Sequence, residues 1–151
     1  VAMDVIRHME PGELQILGPG TTTRTVLERL GLPSTLLGVD AVADGGLVAA
    51  DATEADLLVL LERFGRARII VTVIGGQGHV FGRGNQQISP AVIRRVGRER
   101  IVVIATQTKL LSLEGRPLLV DTGDVELDVE LRGYVKVTTG LGEQTKYRVS
   151  A

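Results

Sequence analysis

The stretch RIIVTVIGGQG, which covers residues 68–78, decides the fold class. Its first seven residues are rich in β-branched side chains and are apolar at odd and even positions alike, which is typical of a strand buried on both faces of a sheet. The glycines that follow end the strand and begin a polar loop that extends to Gln87. The pattern therefore predicts a central strand with a long loop at its carboxyl end.

Short apolar segments and helical patterns alternate on both sides of this strand. The predicted strands cover residues 14–17, 36–42, 47–50, 101–105, 118–121, 134–138 and 146–149. Amphipathic or capped helical patterns cover residues 1–9, 21–30, 53–64, 89–97, 107–113 and 125–132. This alternation predicts one α/β domain over residues 1–151, with a mostly parallel sheet flanked by helices. The last two strands flank the turn at residues 140–144 and are expected to form an antiparallel edge hairpin at the C-terminus.

Composition narrows the function classes. Hydrophobic residues make up 44% of the 151 residues but aromatic residues only 3%, so the core must be aliphatic. The 17 basic and 18 acidic side chains give a net charge of −1, which argues against a broad nucleic-acid surface. Cysteine is absent and the only histidines are His8 and His79, which excludes disulfides, a thiolate metal site and a histidine-rich zinc site.

No apolar run is long enough to span a bilayer and no signal-peptide pattern is present, so a cytoplasmic location is expected. The chain begins with Val1, which suggests a piece of a longer protein or a processed product.

The first candidate site lies between a predicted strand and a predicted helix, at residues 18–24. Its glycines allow a tight turn, and the helix start offers unpaired N–H groups and a partial positive charge that suit a phosphate or a carboxylate. An ordinary capped helix after a tight turn would leave a similar pattern. The candidate residues are Gly18, Gly20, Thr21, Thr22, Thr23 and Arg24.

The second candidate site is the loop at residues 75–87, which follows the central strand. In open α/β sheets, ligands bind at the carboxyl ends of strands, and a flexible connector would have little use for several amides and for Phe81. The glycine backbone, an arginine and the amides predict recognition of an anion or a nucleotide. The candidate residues are Gly75, Gly76, Gln77, Gly78, Gly82, Arg83, Gly84, Asn85 and Gln86. We expect this loop and residues 18–24 to face the same cleft.

Three acids at predicted strand ends form the third candidate set. Asp40, Asp121 and Asp124 could bind ribose hydroxyls, bind a metal or act as a base, although turns and helix caps favour the same residues. Lys109 could meet a phosphate, but a solvated helix lysine is the simpler interpretation. No catalytic residue and no metal ligand can be assigned from any motif.

Several motifs in one order closely resemble the long branch of the ATP–NAD kinase family, which includes the acetoin-operon X-type proteins. The motifs are ILGPGTTT at residues 16–23, LLGVD at 36–40, IGGQG at 74–78, FGRGNQQISP at 81–90, LLVDTGD at 118–124 and LRGY at 131–134. Together they extend over nearly the whole chain. The family's N-terminal Gly-Gly-Asp-Gly-Thr motif is absent, so the chain resembles a C-terminal portion, and we expect it to be inactive alone.

The resemblance implies phosphoryl transfer from ATP to NAD in the intact protein, with a divalent metal such as Mg²⁺ as a possible cofactor. It also implies a small-molecule nucleotide or phosphorylated metabolite as partner, contact with the chain's own N-terminal domain, and possible homo-oligomers. Two alternatives stay open. One is a non-catalytic module that binds a phosphorylated metabolite. The other is a domain similar to the sugar-phosphate isomerases, although Arg83, Asn85 and Gln86 stand where that group has a proton-transferring Lys or Glu.

Overall fold

A computed structural model describes residues 1–151 as six α-helices and nine strands with one 3-10 turn, Arg98–Arg100. The helices are α1 (Ala2–Arg7), α2 (Thr21–Arg29), α3 (Glu54–Phe64), α4 (Pro90–Val96), α5 (Gln107–Leu111) and α6 (Val125–Leu131). The strands are β1 (Leu14–Leu17), β2 (Asp40–Ala43), β3 (Gly46–Ala49), β4 (Ala67–Thr72), β5 (His79–Phe81), β6 (Ile101–Ile104), β7 (Leu118–Val120), β8 (Gly133–Gly140) and β9 (Glu143–Ser150).

The strands form one mixed sheet in the order β3-β2-β1-β4-β6-β8-β9-β7-β5. Five of the eight pairs of neighbouring strands are parallel, which confirms the predicted mostly parallel sheet flanked by helices. The C-terminal hairpin of β8 and β9 is antiparallel, as predicted. Beyond it, β7 and then β5 continue the sheet.

Strand β5, the last in the strand order, is joined to the end of the central strand β4. Ile74, just past β4, forms an antiparallel bridge with His79, the first residue of β5. The two backbone hydrogen bonds of this bridge measure 2.7 and 3.1 Å. This bridge therefore closes a ring of six strands, β4, β6, β8, β9, β7 and β5. The other three strands, β1, β2 and β3, extend from β4 as an open part of the sheet, which we call the wing.

Strand β4 is central and buried on both faces, as its sequence predicts. Ile69 and Val71 pack into a large core, whereas Ile70 packs on the opposite face with residues of α1 and α2. Phe81 is the only aromatic residue that is buried, which agrees with the expected aliphatic core.

Two strands depart from the sequence prediction. The strand expected at residues 36–42 begins only at Asp40, because the Asp40 carboxylate accepts hydrogen bonds from the backbone N–H of Thr35 and of Asp51, both at 2.9 Å, and holds the preceding segment as a loop. Strand β5 lies inside the segment expected to be a loop, where its three residues are too few to give a periodic signal.

Candidate functional site

The carboxyl ends of β1, β4 and β6 open onto a cleft with a volume of about 560 Å³. Residues that follow these three strands form most of its wall, and the loop after α2 supplies two leucines. The lining residues are Pro19, Gly20, Thr21, Thr22, Arg24, Leu36, Leu37, Thr72, Val73, Ile74, Gly75, Gly84, Thr106 and Lys109. The cleft thus contains parts of both glycine-rich segments that the sequence analysis expected to face each other.

One wall of the cleft is the uncapped N-terminus of α2. Gly20 occupies the N-cap position, and no side chain accepts a hydrogen bond from the first turn. The first backbone bond of the helix runs from Arg24 N–H to the Gly20 carbonyl at 3.1 Å, so the N–H groups of the three threonines before it have no acceptor within the helix. These N–H groups and the helix dipole favour a negative charge at this place.

The three threonines at this helix start have different roles. Thr21 and Thr22 line the cleft. Thr23 is only 1% exposed, and its hydroxyl donates to the Gly20 carbonyl at 3.1 Å, so it fixes the turn from inside. Gly18 is likewise a packing position, since its N–H donates to the Ile70 carbonyl at 2.9 Å and it does not line the cleft.

Thr72 forms part of the cleft floor at the end of β4. It is 5% exposed and packs so closely against Gly20 that a Cβ on Gly20 would lie 2.5 Å from the Thr72 methyl carbon. A side chain at residue 20 would therefore push into the cleft floor, which explains the glycine at this position.

Two cations line the cleft, Arg24 and Lys109. Arg24 lies on the exposed side of α2 and pairs with Glu28 at 3.2 Å, which is a surface ion pair of small energy. Lys109 is half-buried, and its Nζ donates to the Gly75 carbonyl at 3.0 Å. Thr106 caps α5 by accepting from Lys109 N–H at 3.1 Å and thereby sets the direction of this helix.

The glycine-rich segment at residues 75–78 forms a tight turn at the cleft rim. Gly75 lines the cleft, while Gly76 and Gln77 are exposed. The Gly76 carbonyl accepts a hydrogen bond from Arg116 at 3.2 Å. Gly78 is buried against Leu113 and is a packing position.

In the second half of the loop at residues 75–87, only Gly84 lines the cleft. Asn85 is 0% exposed, and its amide accepts from Gly82 N–H at 3.0 Å and donates to the Val80 carbonyl at 2.8 Å. Asn85 therefore holds the loop together from inside. Arg83 and Gln86 are exposed and lie outside the cleft lining.

The three predicted acids do not line the cleft. Asp40 is 3% exposed, and its carboxylate is taken up by the N–H of Thr35 and Asp51 and by the Thr35 hydroxyl at 2.6 Å. Asp124 caps α6 by accepting from Leu127 N–H at 3.1 Å. A hydrogen bond from Arg94 at 2.6 Å, followed by that cap bond, lowers the pKa of Asp124 to about 2.

Asp121 directly follows β7 and lies near His79, which is 8% exposed. Burial lowers the pKa of His79 below its usual value of 6.5, and the positive charge of Arg83 lowers it further, whereas Asp121 raises it. His79 therefore binds a proton less readily than a free histidine, and its backbone forms the bridge to Ile74. Asp121 is far from His79 in the sequence and approaches it through the pairing of β5 and β7.

Lys109 and Thr72 are the cleft residues that sequence reasoning undervalued. The simpler interpretation of Lys109 is a solvated helix lysine, and the structure adds that it is half-buried, lines the cleft and donates at its exposed end to the Gly75 carbonyl. Its place directly after a buried strand and a threonine cap was the available signal. Leu36 and Leu37, which were expected in a strand, lie in the cleft rim with exposures of 69% and 77%.

No three His, Asp or Glu side chains lie together in a way that could hold a metal ion. None of the helices has both the length and the apolar character needed to cross a membrane.

Comparison with known proteins identifies the family. The model of the ATP-NAD kinase C-terminal domain matches residues 13–149, which include all nine strands except the last residue of β9. No curated protein and no solved structure matches the chain. Because the matched segment covers nearly the whole chain, the protein belongs to the ATP-NAD kinase C-terminal domain family.

Proposed function

We propose that the cleft binds a phosphorylated, nucleotide-like ligand, and that the chain is the ligand-binding C-terminal domain of an ATP–NAD kinase-like protein of the long, acetoin-operon X-type branch. The observation that carries the proposal is the meeting of the uncapped α2 N-terminus and Lys109 in one cleft. Both groups favour an anion, and they approach it from two different elements of the fold.

The cleft also offers the two surfaces that a nucleotide needs. Thr21, Thr22 and Thr106 provide hydroxyls in the cleft lining, while the exposed Leu36 and Leu37 provide apolar area. Ligand sites commonly combine an apolar lining with a few directed polar groups, and a volume of about 560 Å³ is in the range of such sites. In this arrangement the phosphate lies at α2 and the ring system lies on the leucines.

Within phosphoryl transfer, this domain would bind and orient the substrate. Such reactions depend mainly on positioning and on stabilisation of negative charge, and Lys109, Arg24 and the α2 N–H groups supply both. We propose that the intact protein transfers the phosphoryl group from ATP to NAD, with the catalytic aspartate supplied by an N-terminal domain.

The cleft residues do not suit a protein-bound Mg²⁺ ion. Mg²⁺ prefers carboxylate and phosphate oxygens, and no carboxylate belongs to the lining, so we derive no step through a metal held by this chain.

Binding measurements on Lys109 variants test the proposal. We expect calorimetry and thermal shift to detect binding of NAD, NADP, ATP or ribose 5-phosphate. We expect Lys109→Met to weaken the affinity for the bound compound about tenfold or more, because a hydrogen bond to a charged group is lost. Lys136→Met is the matched control, since Lys136 is exposed on β8 outside the cleft.

The proposal fails if none of these compounds stabilises the protein, or if Lys109→Met and Lys136→Met bind equally well. Stronger binding of ribose 5-phosphate than of any nucleotide would instead favour a sugar-phosphate module.

A further inference from the structure

Two basic side chains hold the exposed turn at residues 75–78. Lys109 donates to the Gly75 carbonyl at 3.0 Å, and Arg116 donates to the Gly76 carbonyl at 3.2 Å. Only Lys109 also lines the cleft. The turn itself leads directly into the Ile74–His79 bridge, which closes the six-stranded ring.

The ammonium group of Lys109 has donors to spare. A lysine carries three N–H donors, and the Gly75 carbonyl accepts one of them. The remaining donors can therefore meet an anion in the cleft while the bond to Gly75 stays in place. Arg116 differs, because it donates to the Gly76 and Leu113 carbonyls but does not line the cleft.

The outer residues of the turn depend on these two side chains, because residues 75–77 make no other backbone hydrogen bond, whereas Gly78 is buried and its carbonyl accepts from Leu119 N–H at 2.9 Å. Gly75, Gly76 and Gln77 are exposed, and two of these three residues are glycines, which have a high conformational entropy when free. Exposed backbone bonds of this kind open at a low free-energy cost compared with the core. A contact that fixes Lys109 would therefore change how often the turn opens.

We infer that Lys109 couples the cleft to this turn: a bound phosphate and the Gly75 carbonyl share its ammonium group, so that anion binding holds the turn and the Ile74–His79 bridge closed. The inference rests on the proposed function and adds regulation of the same site. Because such coupling is reciprocal, a closed turn also binds the anion more tightly than an open one.

Hydrogen exchange measured by NMR tests the coupling, with inorganic pyrophosphate as the probe. The His79 N–H donates to the Ile74 carbonyl at 3.1 Å across the turn, so its exchange rate reports opening of the bridge. We expect saturating pyrophosphate to slow this exchange about tenfold in the unaltered protein. The same slowing is expected in Arg116→Gln, which removes the hydrogen bond to the Gly76 carbonyl and leaves the cleft lining unchanged. In Lys109→Met the exchange should be faster without pyrophosphate and unchanged by it.

The outcomes separate this inference from the proposed function. If calorimetry detects pyrophosphate binding but the His79 exchange rate stays the same, the coupling is wrong and the anion site remains. Equal slowing in Lys109→Met also contradicts the coupling, because the turn would then respond through another group. If pyrophosphate does not bind at all, the proposed anion site fails and the coupling fails with it.

Discussion

At the scale of single residues, His79 combines three influences in a small space. Burial, with 8% of the residue exposed, and the nearby charge of Arg83 both lower the pKa of His79, whereas the charge of Asp121 raises it. In the unfolded chain the same side chain would titrate at its usual value of 6.5. The folded state therefore binds the proton less readily than the unfolded state.

We expect this difference to make stability depend on pH. The free energy of unfolding should fall as the pH is lowered through 6.5, and it should go on falling until His79 protonates in the folded protein. Urea unfolding at a series of pH values on both sides of 6.5 measures this slope, which should be smaller in His79→Gln. Arg83→Gln should raise the pKa of His79, and NMR titration of the ring would detect it. A slope that is the same with and without His79 would contradict this assignment.

At the scale of secondary-structure elements, the ends of β5 and β7 meet without room for a side chain. Gly82 has a φ of 95°, and a Cβ there would clash with the Asp121 carbonyl. Gly84, two residues further on, has a φ of 73° but faces open space. The two glycines thus share an unusual backbone conformation and differ in their surroundings.

This difference predicts different costs for the same substitution. Gly82→Ala should lower the free energy of unfolding by about 3 kcal/mol or more, because backbone strain and a displaced strand end add together. Gly84→Ala should cost only about 1 kcal/mol, from the strained conformation alone. Urea denaturation of both variants is the measurement, and equal losses would show that the contact with Asp121 relaxes freely.

Elements with strong local signals could be predicted from the sequence. Ser89 and Pro90 begin α4, and Thr53 begins α3 with reciprocal bonds to Asp56, as expected from cap chemistry. The loop before Asp40 could not be predicted from the local pattern, because the Asp40 carboxylate stabilises it through partners up to 11 residues away. Helix and strand propensities contain no information about such a contact.

The candidate site was predictable in outline only. Parallel strands bring their carboxyl ends to one edge, so the meeting of residues 18–24 with residues 75–87 followed from the fold class. The direction of each side chain did not follow. Asn85 turns inward to bond Gly82 and Val80 within its own loop, a geometry that the residue type alone does not reveal. Lys109 reaches the Gly75 carbonyl from a distant element, and a single sequence does not display such a contact.

At the scale of the whole molecule, the carboxylate of Glu13, just before β1, connects several elements. Its side chain has no exposed surface, and it contacts Arg100 at 2.9 Å, Arg68 at 3.2 Å and the Gln15 amide at 2.7 Å. These partners belong to β1, β4 and the turn before β6. A buried carboxylate is tolerated here because each oxygen has a basic partner.

Removal of this carboxylate should therefore weaken the whole fold. We expect Glu13→Ala to lower the free energy of unfolding by about 2–3 kcal/mol, because the partly buried Arg68 and Arg100 and the buried Gln15 amide lose their shared acceptor. Glu10→Ala is the matched control. Glu10 is exposed and pairs with Arg66 at 2.6 Å, and loss of a surface pair should cost at most about 1 kcal/mol. Thermal and urea unfolding would measure both losses, and similar values would mean that the ion pairs of Glu13 add little to the free energy of unfolding.

The bridge between Ile74 and His79 has a consequence for self-association. An unpaired edge strand is a template on which other chains can add strands and aggregate, and β5 would be such an edge by its place in the strand order. Instead, Ile74 bonds the backbone of His79, and the Asn85 side chain bonds Val80 and Gly82. The remaining open edge of the sheet is β3, a strand of four residues at the other end, and we expect any intermolecular strand addition to occur there.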